Sequence, residues 1–196
     1  MKKEVQGKYA IGKENKFIMN IVYKELLYKL NADIILQEFN RHVKEELYLD
    51  VTYQDISNVK KIPVINKKNI FYGSYIPFKY TQSNFSNEIE MLNHYYNINE
   101  NFYISFMQTN PGGTIPWHTD DKNKIKSSIN FVLKNKTEYA KLWYEDQTIN
   151  YKLAALDILK KHAVLENEET RIVLRICYTN LSFFELYHKI EKYDKR

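Results

Sequence analysis

The stretch Arg171-Ile172-Val173-Leu174-Arg175-Ile176-Cys177-Tyr178 decides the fold class. Ile172, Leu174 and Ile176 fall on one face of an extended chain, and Arg171, Val173, Arg175 and Cys177 on the other. The alternation is unbroken and neither Gly nor Pro interrupts, so the stretch reads as a strand.

The same logic extends outward. Phe102 to Gln108 is aromatic and β-branched, and Pro111-Gly112-Gly113 after it is a turn. Ser127 to Leu133 alternates, with Ile129, Phe131 and Leu133 against Ser128, Asn130 and Val132. Lys141 to Glu145 and Thr148 to Leu153 are short strands flanking a turn at Glu145-Asp146-Gln147. Many short strands divided by turns predict a β-sandwich or barrel. The first half reads differently. Phe17 to Leu30 has near-helical apolar spacing (Phe17, Ile21, Leu26, Leu27, Leu30). Asn31-Ala32-Asp33 supplies a break and an N-cap for a second helix over Ile34 to Leu47, with Ile35, Phe39, Val43 and Leu47 on one stripe. Ile70 to Tyr75 is a strand limited by Pro77, and Asn84 to Asn97 a third helix opened by Ser83 or Ser86. Helices first, then a β core, is the expected order.

The chain has 196 residues, 44% hydrophobic and 27% charged, with a net charge of +5. That favours one globular domain over disorder. A lone cysteine, Cys177, excludes an internal disulfide framework and a Cys-rich zinc site, and reads as a buried bystander thiol. No apolar run is long enough to span a membrane, and no apolar h-region follows the basic start Met1-Lys2-Lys3, so a cytoplasmic protein is expected. The 17 Tyr and 10 Phe accompany abundant Asn, Lys and Ile, the signature of an AT-rich coding sequence. An aromatic nucleic-acid surface is the other reading, but so mild a charge does not carry it alone.

The chemistry lies in Gly113-Thr114-Ile115-Pro116-Trp117-His118-Thr119-Asp120. His118 and Asp120, two apart on an extended segment, project from one face and can share a metal ion. The third ligand comes from elsewhere, and His162 opens a short strand in Lys161-His162-Ala163-Val164. Two His and one carboxylate make the facial triad of non-haem Fe(II) oxygenases. Arg171, nine residues beyond His162, can grip a carboxylate through two N–H groups. Singly, each residue has an ordinary reading. His118 suits a surface loop, Asp120-Asp121 an acidic turn, His162 the end of a basic run, and Arg171 an exposed bridge to Glu168 or Glu169. Their coincidence in this order is what speaks for a site. His42, His94 and His188 read as bystanders.

From Phe102 to Tyr178 the chain resembles the Fe(II)/2-oxoglutarate-dependent dioxygenases with prolyl- and aspartyl-hydroxylase-like barrels. The Pro-Gly turn into His118-Thr119-Asp120, the strand Ile129-Asn130-Phe131-Val132-Leu133, and His162-Ala163-Val164 followed by Arg171 carry the resemblance. It implies an α+β protein: a double-stranded β-helix (jelly-roll, cupin-like) core with N-terminal helices packed against it. Residues 1–100 would then be a support region, 101–180 the catalytic barrel and 181–196 a tail or helix. It implies an oxidoreductase in which Fe(II) is held by His118, Asp120 and His162, with 2-oxoglutarate as co-substrate and O2 as oxidant. Arg171 would hold the far carboxylate of 2-oxoglutarate, and Asn130, Arg175 and, less directly, Tyr103 are further contact candidates. Where some relatives place a Ser two residues beyond the Arg, this chain has Val173. The product would be a hydroxylated amino acid or protein side chain. The alternatives are an oxygenase of nucleic-acid bases, for which Lys122, Lys124 and Lys126 would line the mouth, and a metal-binding barrel without turnover. Trp143 and Tyr144 are candidates for a wall of the pocket.

Overall fold

The computed structural model describes residues 21–44, 69–73, 84–135, 137–165 and 168–195. In chain order these form β1 (Tyr23–Glu25), α1 (Ala32–Lys44), β2 (Asn69–Gly73), α2 (Asn84–Tyr95), β3 (Phe102–Thr109), β4 (Ile115–His118), β5 (Ser127–Lys134), β6 (Ala140–Tyr144), β7 (Thr148–Tyr151), β8 (Leu153–Leu156), β9 (His162–Val164), β10 (Arg171–Tyr178) and α3 (Phe183–Asp194). The strands make a larger sheet, β1-β8-β5-β10-β3-β2, and a smaller one, β4-β9-β6-β7. Every strand pairing among the described residues is antiparallel. This is the expected double-stranded β-helix.

The strands β3, β5, β8 and β10 of the larger sheet are buried on both faces. Ile129, Phe131, Ile172, Leu174 and Ile176 share a core with Ile35 and Phe39 of α1, Ile89 and Leu92 of α2, and Leu186 and Ile190 of α3. The alternation read from β5 and β10 thus aims its aliphatic stripe at the helices. The opposite face, with Tyr103, Val132 and Cys177, packs on Leu142, Tyr144, Ile149 and Tyr151 of the smaller sheet. That second layer is the barrel interior, and the polar residues of β10 belong to it.

Local chemistry sets the helix ends. Asn31 Oδ1 accepts from the backbone N–H groups of Asp33 and Ile34 at 3.1 and 3.3 Å, which caps α1. Beyond α2, Asn97 takes the left-handed region at φ 52°, with Asn97 N–H bonded to His94 O and Ile98 N–H to Asn93 O. These two bonds satisfy carbonyls the helix would otherwise leave open. Ser182 and Glu185 form a reciprocal capping box on α3.

Three expectations change. The helix over Phe17 to Leu30 is absent where the structure describes it: Tyr23–Glu25 pairs with Leu156–Ala154 as an edge strand. Burial of Val22, Leu26 and Leu30 spans two core layers, and it is their docking that mimics helical spacing. Thr148 to Leu153 is two strands, because Lys152 carries the chain from β7 in one sheet to β8 in the other. On α1, Ile35 and Phe39 are buried but Val43 is exposed. Leu47, Ser83 and the end of the strand expected to reach Tyr75 lie outside the described residues. In the first half, helices alternate with strands, and β1 and β2 supply the two edges of the larger sheet.

Candidate metal centre

His118 ends β4 and His162 begins β9, and the two strands pair so that these residues stand directly opposite. The pairing depends on an irregularity. Ile115 faces Val164, and the register then slips by one residue before His118. Unbroken register would have set Lys161 against His118. Bulges re-aim side chains in this way beside functional sites. The imidazole centroids lie 4.4 Å apart. Asp120 follows β4, and its backbone N–H is held by Ile158 O at 3.0 Å. Its Oδ1 lies 3.3 Å from His118 Nε2. One ligand atom from each of His118, Asp120 and His162 falls within a 4.8 Å cluster.

Both imidazoles are prepared alike. His118 Nδ1 lies 2.8 Å from Pro116 O, and His162 Nδ1 lies 2.8 Å from Lys160 O. A carbonyl only accepts, so each Nδ1 carries a hydrogen, which leaves Nε2 of each ring as the atom to meet a metal. This is the arrangement by which proteins orient metal-bound histidines. Burial pushes His162 down to about 4, and the attraction of Asp120 only partly offsets it, so the ring is neutral at pH 7. For Asp120, burial favours protonation, but the Arg175 guanidinium and then His118 outweigh it and hold the carboxyl well below the usual range. Two imidazoles and one carboxylate fit a divalent first-row ion and leave positions open.

The second part of the site stands on β10. Arg171 is 1% exposed. Its Nη2 donates to Tyr151 Oη at 2.9 Å, while Nε and Nη1 are buried without a hydrogen-bond partner. Thr109, opposite Arg171 on β3, also buries an unpartnered hydroxyl. A guanidinium left this way costs several kcal/mol by order of magnitude. An anion accepting from Nε and Nη1 would remove that cost, and a carboxylate matches the fork. Tyr151 and Thr109 were not legible as site residues; neither belongs to a motif, and it is the β10–β3 register that brings Thr109, and the packing of the two sheets that brings Tyr151, beside Arg171.

Arg175 and Asn130 share the interior face, paired across β10 and β5. Arg175 turns to Asp120, its Nη2 lying 2.6 Å from Oδ2. Asn130 Oδ1 and Ser128 Oγ are buried without partners. Tyr103 is buried opposite Cys177, whose thiol burial pushes up to about 11. Tyr144 points inward beside His162, with ring centroids 5.9 Å apart. Trp143 pairs with Ala163 on the other face of the smaller sheet, away from the ligands. Lys122 and Lys124 are exposed, whereas the charge of Lys126 acts on Glu185 at the start of α3. His188 packs edge-on to Phe184, and His94 is exposed at the end of α2.

No family model and no curated protein matches the sequence. Solved structures do. A prolyl-4-hydroxylase of Pseudomonas putida aligns with TM-score 0.57 at 14% identity, over 86% of this chain and 98% of its own. The chain has the prolyl-hydroxylase fold. A viral collagen prolyl hydroxylase of Paramecium Bursaria Chlorella virus-1, solved as its 2OG complex, aligns with TM-score 0.55 at 13% identity over 81% of this chain and 96% of its own. A Trichoplax adhaerens prolyl hydroxylase, solved with a peptide fragment of a hypoxia inducible factor, gives 0.54 at 11% over 93% and 97%. Among the described residues, no helix is long and apolar enough to cross a membrane.

Proposed function

We propose that the protein is an Fe(II)- and 2-oxoglutarate-dependent oxygenase that hydroxylates an unactivated C–H bond of an amino acid or protein side chain. One observation carries this reading. The His118–Asp120–His162 cluster is accompanied in the barrel by a buried Arg171 guanidinium with two of its three nitrogens unbonded. A metal site and a carboxylate site so combined match a co-substrate that is both chelator and acid. In this reading His118, Asp120 and His162 hold the iron, which with 2-oxoglutarate and O2 supplies the oxidising power when bound. Arg171, with Tyr151 and Thr109 beside it, binds the far carboxylate. Asn130 lends a buried amide to the same interior. The aliphatic and aromatic walls, Val132, Leu142, Tyr144 and Ile149, keep water away. The peptide held by the Trichoplax enzyme supports a protein side chain as substrate.

The test is spectroscopic. Anaerobic protein mixed with Fe(II) and 2-oxoglutarate should develop a visible metal-to-ligand charge-transfer band. His162→Ala should abolish it. Arg171→Ala should keep it only at much higher 2-oxoglutarate, roughly 100-fold, the scale of losing a charge-assisted bidentate contact. Folded, iron-loaded wild type without a band would overturn the assignment.

A further inference from the structure

Arg175 has no place in the reading just given, yet it makes the most direct contact to the centre. Its guanidinium lies 2.6 Å from Asp120 Oδ2, and the two side chains are 16% and 11% exposed. Asp120 therefore divides its oxygens: Oδ1 faces His118 and Oδ2 faces Arg175. Arg175 is itself anchored in the middle of β10, the strand between β5 and β3, level with Asn130 and Ser105. The backbone that carries Arg175 is therefore fixed by pairing on both sides. The sequence separates the partners by 55 positions, so only the fold brings them together.

We propose that Arg175 is a positioning residue that limits Asp120 to one-oxygen ligation of the metal. This rests on the metal reading above. A carboxylate with both oxygens free can bind an ion through one or both. Here the second oxygen is occupied by a buried, charged donor, which is stronger than a neutral one. One-oxygen ligation leaves one more coordination position open than chelation would, and a site that must admit a two-point ligand and an oxidant needs those positions. The added positive charge also favours a dianionic ligand close by. Arg175 reaches the chemistry only through Asp120, so its removal should change how the metal is held before it changes whether the barrel folds.

Co(II) alone, added anaerobically to the full-length protein, is the probe, because its d–d spectrum reports coordination number. Wild type should give the weak bands of a six-coordinate ion. Arg175→Met should shift and change the intensity of those bands, because Asp120 is then free to chelate. Arg175→Lys, which keeps a charged donor, should restore most of the wild-type spectrum. Should Arg175→Met fail to fold, Arg175→Gln, which keeps the length but not the charge, takes its place against Arg175→Lys. A folded Arg175→Met or Arg175→Gln protein with the wild-type spectrum and Co(II) affinity overturns the proposal and leaves Arg175 a plain counter-ion. Folded wild type that binds no Co(II) overturns the metal reading itself, a result distinguishable from the first.

Discussion

At the level of single residues, the site is a set of buried charges in unequal states of repair. Asp120 and Arg175 are paired, with Arg175 Nε left buried and unbonded, while Arg171 has one partner for its three nitrogens and no charged one. The metal-free protein should register the difference. Removing one member of a buried pair costs about 3–5 kcal/mol, so Asp120→Asn should lower the unfolding free energy by that order. Arg171→Met should do the reverse, raising it by ~1–4 kcal/mol, because an apolar chain of similar volume replaces an unsatisfied charge. Urea unfolding of both variants without metal checks this, and a marked loss in Arg171→Met would mean that Arg171 is already satisfied. His118, Asp120 and His162 were legible because two sit in one short motif and the third opens a strand of its own. The Arg175–Asp120 contact was not, since the two lie 55 positions apart and no motif pairs them.

At the level of elements, success followed local determinism. The alternation of β10 gave its limits as observed, Arg171–Tyr178, because a strand buried on both sides leaves no tolerance for a slipped register. The segment around β1 misled, because three paired residues at a sheet edge carry too little pattern to outvote apolar spacing created by docking. The capping box of α3 is a local feature with a local price: Ser182→Ala should cost about 1 kcal/mol in denaturant unfolding. That cost depends on acidity. The hydroxyl and backbone N–H of Ser182 hold the Glu185 carboxyl below its ordinary value. The contribution of Glu185 is thus present above the unfolded-state value and fades as pH falls through the folded one. The gap between wild type and Ser182→Ala should narrow in acid, and a gap independent of pH would show that the hydroxyl acts alone.

At the level of the whole molecule, the candidate metal ligands stand on, or just after, strands of the smaller sheet and the arginines on the larger, so ligands that touch both should tie the layers together. In the proposed reading, Mn(II) with 2-oxoglutarate, each near 100 times its dissociation constant, should add ~2.7 kcal/mol per ligand, or roughly 5–10 °C in Tm for a chain of this size. Arg171→Met should keep the increment from Mn(II) and lose that from 2-oxoglutarate, as read by scanning calorimetry. The order of the larger sheet has a further consequence, for synthesis. β10 occupies its middle, between β5 and β3, yet is made after the other nine described strands. Until residue 178 has been added, the growing chain holds β5 and β3 apart with facing edges open, and open edges invite pairing with other chains. Shortened products ending before Arg171 should therefore be aggregation-prone, and chaperone demand should peak before residue 178 is added. A molecule that has closed its sheet has, by the same event, acquired both guanidiniums, so a folded population without them does not arise from incomplete synthesis.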